Sequence, residues 1–179
     1  MAGWSEFEEM SEHPYRPEAP SDDDPPRSRG VWWVAVQGGL FLFFLAALLS
    51  GDTVDDFEGL VYIQSAGLLA ALFGAFVSGW SIFQHRSGVS PFPKPVEGAV
   101  LVDTGPYRFV RHPMYSGIIA FTLGAGIAFG NVAAALVAPA FLVFFIVKSG
   151  HEEEMLVDDV PGYRQYRSDV HWRLIPRVL

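Results

Sequence analysis

The chain has 179 residues, room for one domain, and half of them are hydrophobic. Its net charge of -8 argues against a nucleic-acid binder, because phosphate neutralisation needs clustered Lys and Arg. The absence of cysteine excludes a disulfide framework, a thiolate metal site and a cysteine nucleophile. The positive mean hydropathy, +0.25, is unusual for a soluble domain and directs attention to membrane spans.

Residues 1–29 are polar and acidic, with Asp22-Asp23-Asp24 among prolines that run from Pro14 to Pro26. Such a segment buries too little apolar surface to offset its ordering entropy, so it reads as a disordered cytosolic tail. It lacks the basic start and apolar core of a signal peptide. The rest, residues 30–179, reads as one membrane domain.

Val31 to Leu49 is apolar except for Gln37, and Trp32-Trp33 stand at its start, where interfacial aromatics belong. As a helix it spans about 28 Å, close to the hydrocarbon thickness of a bilayer. A second apolar run, Leu60 to Phe83, offers Gly67, Gly74 and Gly79 as surfaces for close helix packing. An irregular loop with Arg86, Lys94 and three prolines then leads to Gly105. Two shorter apolar arms, 114–129 and 132–148, flank Gly130-Asn131, a turn signal, so they predict a helical hairpin that Pro139 could kink. The predicted fold is an all-α integral membrane protein with about four transmembrane helices (31–49, 60–83, 114–129, 132–148) and a C-terminal cofactor-binding element. A separate interfacial helix is expected over Glu152 to Tyr166, broken near Pro161-Gly162. The loops at 52–58 and 130–131 carry no Lys or Arg. The positive-inside rule therefore puts both termini and the loop from His85 to Pro113 in the cytosol.

The most informative stretch is Gly105-Pro106-Tyr107-Arg108-Phe109-Val110-Arg111-His112-Pro113-Met114-Tyr115-Ser116-Gly117. Arg108 and Arg111 share a face if the segment is helical and could bind a carboxylate or phosphate. They could equally mark the membrane boundary. His112 is held extended by Pro113. The hairpin brings this loop back to Glu152-Glu153-Glu154. Three adjacent carboxylates are ordinarily a solvated run. If some face inward, they can bind a cationic group, and a cationic patch facing an anionic one suits an amino-acid zwitterion. The five histidines show no ligand spacing, so no metal is expected.

Together with Met155-Leu156, Tyr163, Tyr166, Val170, Arg173 and Ile175-Pro176, this pattern resembles the isoprenylcysteine carboxyl methyltransferase family, related to the phospholipid methyltransferases. The resemblance implies an integral membrane methyltransferase that uses S-adenosylmethionine on a lipophilic acceptor arriving from the bilayer, such as an isoprenylcysteine-like carboxylate. It assigns Tyr107, Arg108, Arg111, His112, Pro113, Tyr115, Gly117, Glu152 and Glu153 to the cofactor site. Arg173, Glu153 and His112 become the catalytic candidates, with Arg173 on the acceptor carboxylate. The spacing from Glu153 to Tyr163 is one residue shorter than the usual pattern, so Glu153-Glu154 competes with Glu152-Glu153 as the matching pair. An NADPH-dependent membrane reductase and a non-enzymatic membrane scaffold are the alternative readings.

Overall fold

The computed structural model describes residues 30–51, 53–54, 58–84 and 100–179. The acidic tail over 1–29 and most of the Pro-rich loop before Gly105 lie outside the described residues. The described chain is helix and loop throughout: α1 (Val31–Leu49), α2 (Leu60–Gln84), a 3-10 turn (Gly105–Arg108), α3 (Pro113–Ala128), α4 (Val132–Ala135), α5 (Val137–Asp159) and α6 (Tyr163–Asp169).

Three stretches are long and apolar enough to cross a membrane: α1, α2 and the α4–α5 rod from Val132 to Asp159. The sixteen-residue α3 is shorter. On α1 and α2 large apolar side chains point outward, among them Leu42, Phe43, Leu69 and Phe73. Apolar surface this continuous is covered by lipid in a spanning helix.

The α2–α3 pair is joined by small residues. A Cβ added at Gly67 or Gly74 would strike the α3 backbone, and one at Gly117 or Gly124 would strike α2. The two backbones approach at points seven residues apart on both helices, which only glycine permits. Gly79 faces open space instead and takes no part in this seam.

At the far end, Gly130 adopts φ 64 in the reversal after α3, a conformation glycine takes without steric penalty. Asn131 is buried there. It accepts a hydrogen bond from the Ala134 amide (2.8 Å) and donates one to the Ala47 carbonyl (2.7 Å). This caps α4 and ties the hairpin tip to the end of α1. The helical break falls at Leu136, three residues before Pro139. Proline lacks the N–H that would bond the Ala135 carbonyl, and its ring crowds that oxygen.

The expected interfacial helix from Glu152 is instead a continuation of the span. α5 runs unbroken to Asp159 because nothing between Lys148 and Val160 stops a helix, and it ends where Val160 turns extended before Pro161. The glutamates therefore stand on the same rod as the buried Phe141, Phe144 and Phe145. Trp33 meets Phe144 edge-on at 5.6 Å between centroids and stacks near His151. The start of α1, the start of α3 and the end of α5 thus gather at one end of the bundle.

Candidate active site

At that end the loop before α3 is clamped to the C-terminal segment. The Arg111 amide donates to the Trp172 carbonyl and the His112 amide to the Arg173 carbonyl, both at 2.9 Å. The Arg111 guanidinium then donates through Nη1 to the carbonyls of Val170 (2.6 Å) and His171 (2.8 Å). Its other edge meets Glu153, Nε to Oε1 at 2.7 Å and Nη2 to Oε2 at 3.3 Å. This fork geometry is the one in which arginine holds a carboxylate best.

Glu153 is almost completely buried and surrounded by basic side chains. Besides Arg111, His112 Nε2 lies 3.2 Å from Oε1, Arg173 Nε 3.4 Å from Oε1, and Arg167 Nε 3.6 Å from Oε2. Such a carboxylate has little capacity left for a ligand. It organises the arginines.

Glu152 differs. It accepts the Tyr115 hydroxyl at 2.7 and 2.9 Å, and its other neighbours are more distant: His112 Nδ1 at 3.7 Å and Lys148 Nζ at 3.9 Å. Glu154 points to solvent, with His151 at 4.0 Å. At about 100° per residue a helix turns two neighbouring side chains inward and the third out. The inward pair is therefore Glu152-Glu153.

The His112 ring bridges the two carboxylates and lies parallel to the Tyr115 ring, 5.5 Å away. Tyr115 stacks in turn on Phe145 at 4.2 Å. A second apolar cluster roofs the site with Tyr107, Val160, Tyr163 and Tyr166. The Tyr166 hydroxyl donates to the Tyr107 carbonyl (2.8 Å). Among the described residues the buried Tyr163 hydroxyl has no hydrogen-bond partner. Burial raises the pKa of all three phenols in this cap, so they remain neutral donors.

Of the residues singled out in the sequence, the fold brings together Arg111, His112, Tyr115, Glu152, Glu153 and Arg173, roofed by Tyr107. Arg108 and Arg111 do not share a face. The 3-10 turn stops at Arg108, which stays exposed while Arg111 is buried. Arg108 lines a cleft of about 570 Å³ with Phe109, Trp172 and Arg177, which adjoins the site through Val170 and His171. Pro113 opens α3, and Gly117 faces the α2 seam, a packing role. Sequence reasoning passed over Lys148, Gln37 and Arg167 as site residues. The signal for the first two was present: Gln37 alone interrupts the polarity pattern of α1, and Lys148 stands one helical turn before Glu152. Among the described residues no group of acidic and histidine side chains is arranged to hold a metal ion.

Fold and site together define a multi-pass integral membrane protein with a buried charge cluster at one end of its helices. Residues 63–159, more than half of the chain, match the phospholipid methyltransferase family. The chain belongs to that family, whose members are S-adenosylmethionine-dependent membrane enzymes. This match places the methyltransferase reading ahead of the reductase and the scaffold. Among solved structures, the chain resembles the eukaryotic intramembrane Ras methyltransferase, isoprenylcysteine carboxyl methyltransferase. The TM-score is 0.59 at 22% identity over 83% of this chain and 53% of that one. The chain thus spans about half the length of that protein, and at this identity the likeness is one of fold. No curated protein matches the chain.

The charge pattern fits the family's cofactor. Its amino-acid end carries an ammonium and a carboxylate. Glu152 offers a buried carboxylate whose only short contact among the described residues is the Tyr115 phenol. Arg167 and Arg173 keep side chains 47% and 29% exposed while leaning on Glu153.

Proposed function

We propose that the chain transfers a methyl group from S-adenosylmethionine to a lipophilic acceptor that enters from the bilayer. The observation that carries this reading is the division of labour between two adjacent glutamates. Glu153 is saturated by Arg111, His112 and Arg173, whereas Glu152 keeps acceptor capacity beside a hydroxyl. In this reading Glu152 receives the cofactor's ammonium, and Arg167 with Arg173 receives its carboxylate or that of the acceptor. Tyr107, Tyr163 and Tyr166 cover the site and exclude water.

When bound, the cofactor supplies an electrophilic methyl group on a sulfonium sulfur. The protein's own task is positioning and dehydration. A carboxylate acceptor, as on an isoprenylcysteine-like molecule, is already nucleophilic and needs no base. For an amine or hydroxyl acceptor, His112, whose ring nitrogens face Glu152 and Glu153 at 3.7 and 3.2 Å, is the side chain placed to take the proton. The site end faces the cytosol by the positive-inside argument.

The test is methyl transfer by detergent-purified protein, with prenylated-cysteine carboxylates and phospholipid amines as separate acceptors and NADPH binding measured in parallel. Transfer to the carboxylates supports the specific reading. Transfer to amines alone keeps the methyltransferase and replaces the acceptor. NADPH binding without transfer overturns both.

A further inference from the structure

Lys148 is an ammonium placed inside a spanning rod, 1% exposed, among Phe144, Tyr115 and the α1 helix. A buried cation is costly unless compensated. Its Nζ donates to Gln37 Oε1 at 2.8 Å and lies 3.9 Å from Glu152 Oε1, with the Tyr115 ring centroid at 5.3 Å and that of Phe144 at 5.9 Å. The lysine thus stands one turn deeper in the bundle than the glutamate. The single polar residue in the apolar run of α1 is the group that anchors it.

We propose that Lys148, held by Gln37 of α1, is a positioning residue that keeps Glu152 ionised and aimed at the ligand's cationic group. The inference rests on the methyltransferase reading of the site and adds two residues to it. Three arms hold Glu152: the Tyr115 hydroxyl from α3, His112 from the start of α3, and Lys148 from one turn back on α5. The remaining titratable neighbours are Tyr107 on the loop and His151 and Glu153 on α5, while α1 contributes only the uncharged Gln37. Arg111, Arg167 and Arg173 are engaged with Glu153. Among the described lysines and arginines, Lys148 is therefore the one that lies beside Glu152. It also links α1, which carries no other charged or amide side chain, to the chemistry at the other side of α5.

The experiment titrates S-adenosylhomocysteine into the detergent-purified full chain between about pH 6 and 8.5. It compares the wild type with Lys148→Met, Gln37→Leu and Glu152→Gln. Methionine keeps the length of lysine and removes the charge. Without the cation the buried carboxylate ionises only at higher pH. The Lys148→Met protein should therefore bind about tenfold more weakly near neutrality and recover most of the loss as pH rises. Glu152→Gln should bind weakly at every pH, and the wild type should change little. Gln37→Leu leaves every group on Glu152 in place and releases only the anchor. About a threefold loss with the same pH trend is expected. Wild-type affinity in Lys148→Met, or a loss independent of pH, overturns the proposal. If Lys148→Met does not fold, Gln37→Leu decides in the same way. Failure of the wild type to bind S-adenosylhomocysteine overturns the methyltransferase reading and this inference with it. Failure confined to the variants overturns the inference alone.

Discussion

The α2–α3 seam and the charge cluster centred on the buried Glu152 and Glu153 at the end of α5 are built on opposite principles. Among the described residues the seam contains no ionic pair. It is held by the contact of two backbones that Gly67, Gly74, Gly117 and Gly124 make possible. In a bilayer no hydrophobic force drives helices together, so close fit does that work. The cluster has six charged side chains, from Arg111 to Arg173, and its arrangement follows from partner satisfaction. Shape should therefore govern folding at the seam, and charge should govern ligand affinity at the cluster. Substitutions can separate the two.

The largest effect is expected at the seam. Gly74→Leu drives a side chain into the backbone at Gly117 and Phe121. Overpacking of this kind costs about 3 kcal/mol or more where backbone has to move. Loss of a monodisperse, heat-resistant species in detergent would show it. Glu153→Gln comes next because it mixes both regimes. It leaves the Arg111 guanidinium buried without its carboxylate, at a cost of about 3 kcal/mol. A lowered melting temperature should accompany weak ligand binding. If Glu153→Gln melts like the wild type, the organising role given to this residue is wrong.

Glu152→Gln sharpens the contrast. Its short contact is the Tyr115 hydroxyl, which an amide oxygen can still accept. Stability should fall by about 2 kcal/mol, less than in Glu153→Gln, because Lys148 loses the nearby carboxylate but keeps Gln37, while S-adenosylhomocysteine affinity drops about tenfold or more. Arg108→Ala should do least. The side chain is exposed on the adjoining cleft and is not among the partners of Glu152 or Glu153, so ligand affinity should stay within about twofold of the wild type and the melting temperature within about 0.5 kcal/mol equivalent. A strong loss of affinity in Arg108→Ala would extend the site into that cleft.

The sequence announces what depends on local pattern. The spans of α1 and α2 follow from uninterrupted hydropathy, and the Gly130-Asn131 reversal follows from turn chemistry. The meeting of Arg111 and His112 with the glutamates follows from hairpin topology. What it conceals depends on where helices start and stop. A 3-10 turn ending at Arg108 separates two arginines that an α-helix would have aligned. The absence of a breaker before Val160 turns an expected interfacial helix into the end of a span. That same continuity fixes which two of three glutamates face inward, a choice the altered spacing to Tyr163 leaves open. Gly117 sits within the motif that carries the family resemblance, yet its missing side chain serves α2. Lys148 escapes notice because at the edge of an apolar run a lysine ordinarily reaches the headgroup layer. The packing of α1 and of Tyr115 on α3 against α5 encloses it instead.

The central claim is that Glu152 receives the ligand's cation while Glu153 holds the arginines. Calorimetric titration of S-adenosylhomocysteine into wild type, Glu152→Gln and Glu153→Gln, each with its melting temperature, tests it most directly. The account predicts lost affinity with the smaller fall in melting temperature for Glu152→Gln, and lost affinity with the larger fall for Glu153→Gln. Full affinity in Glu152→Gln would contradict it.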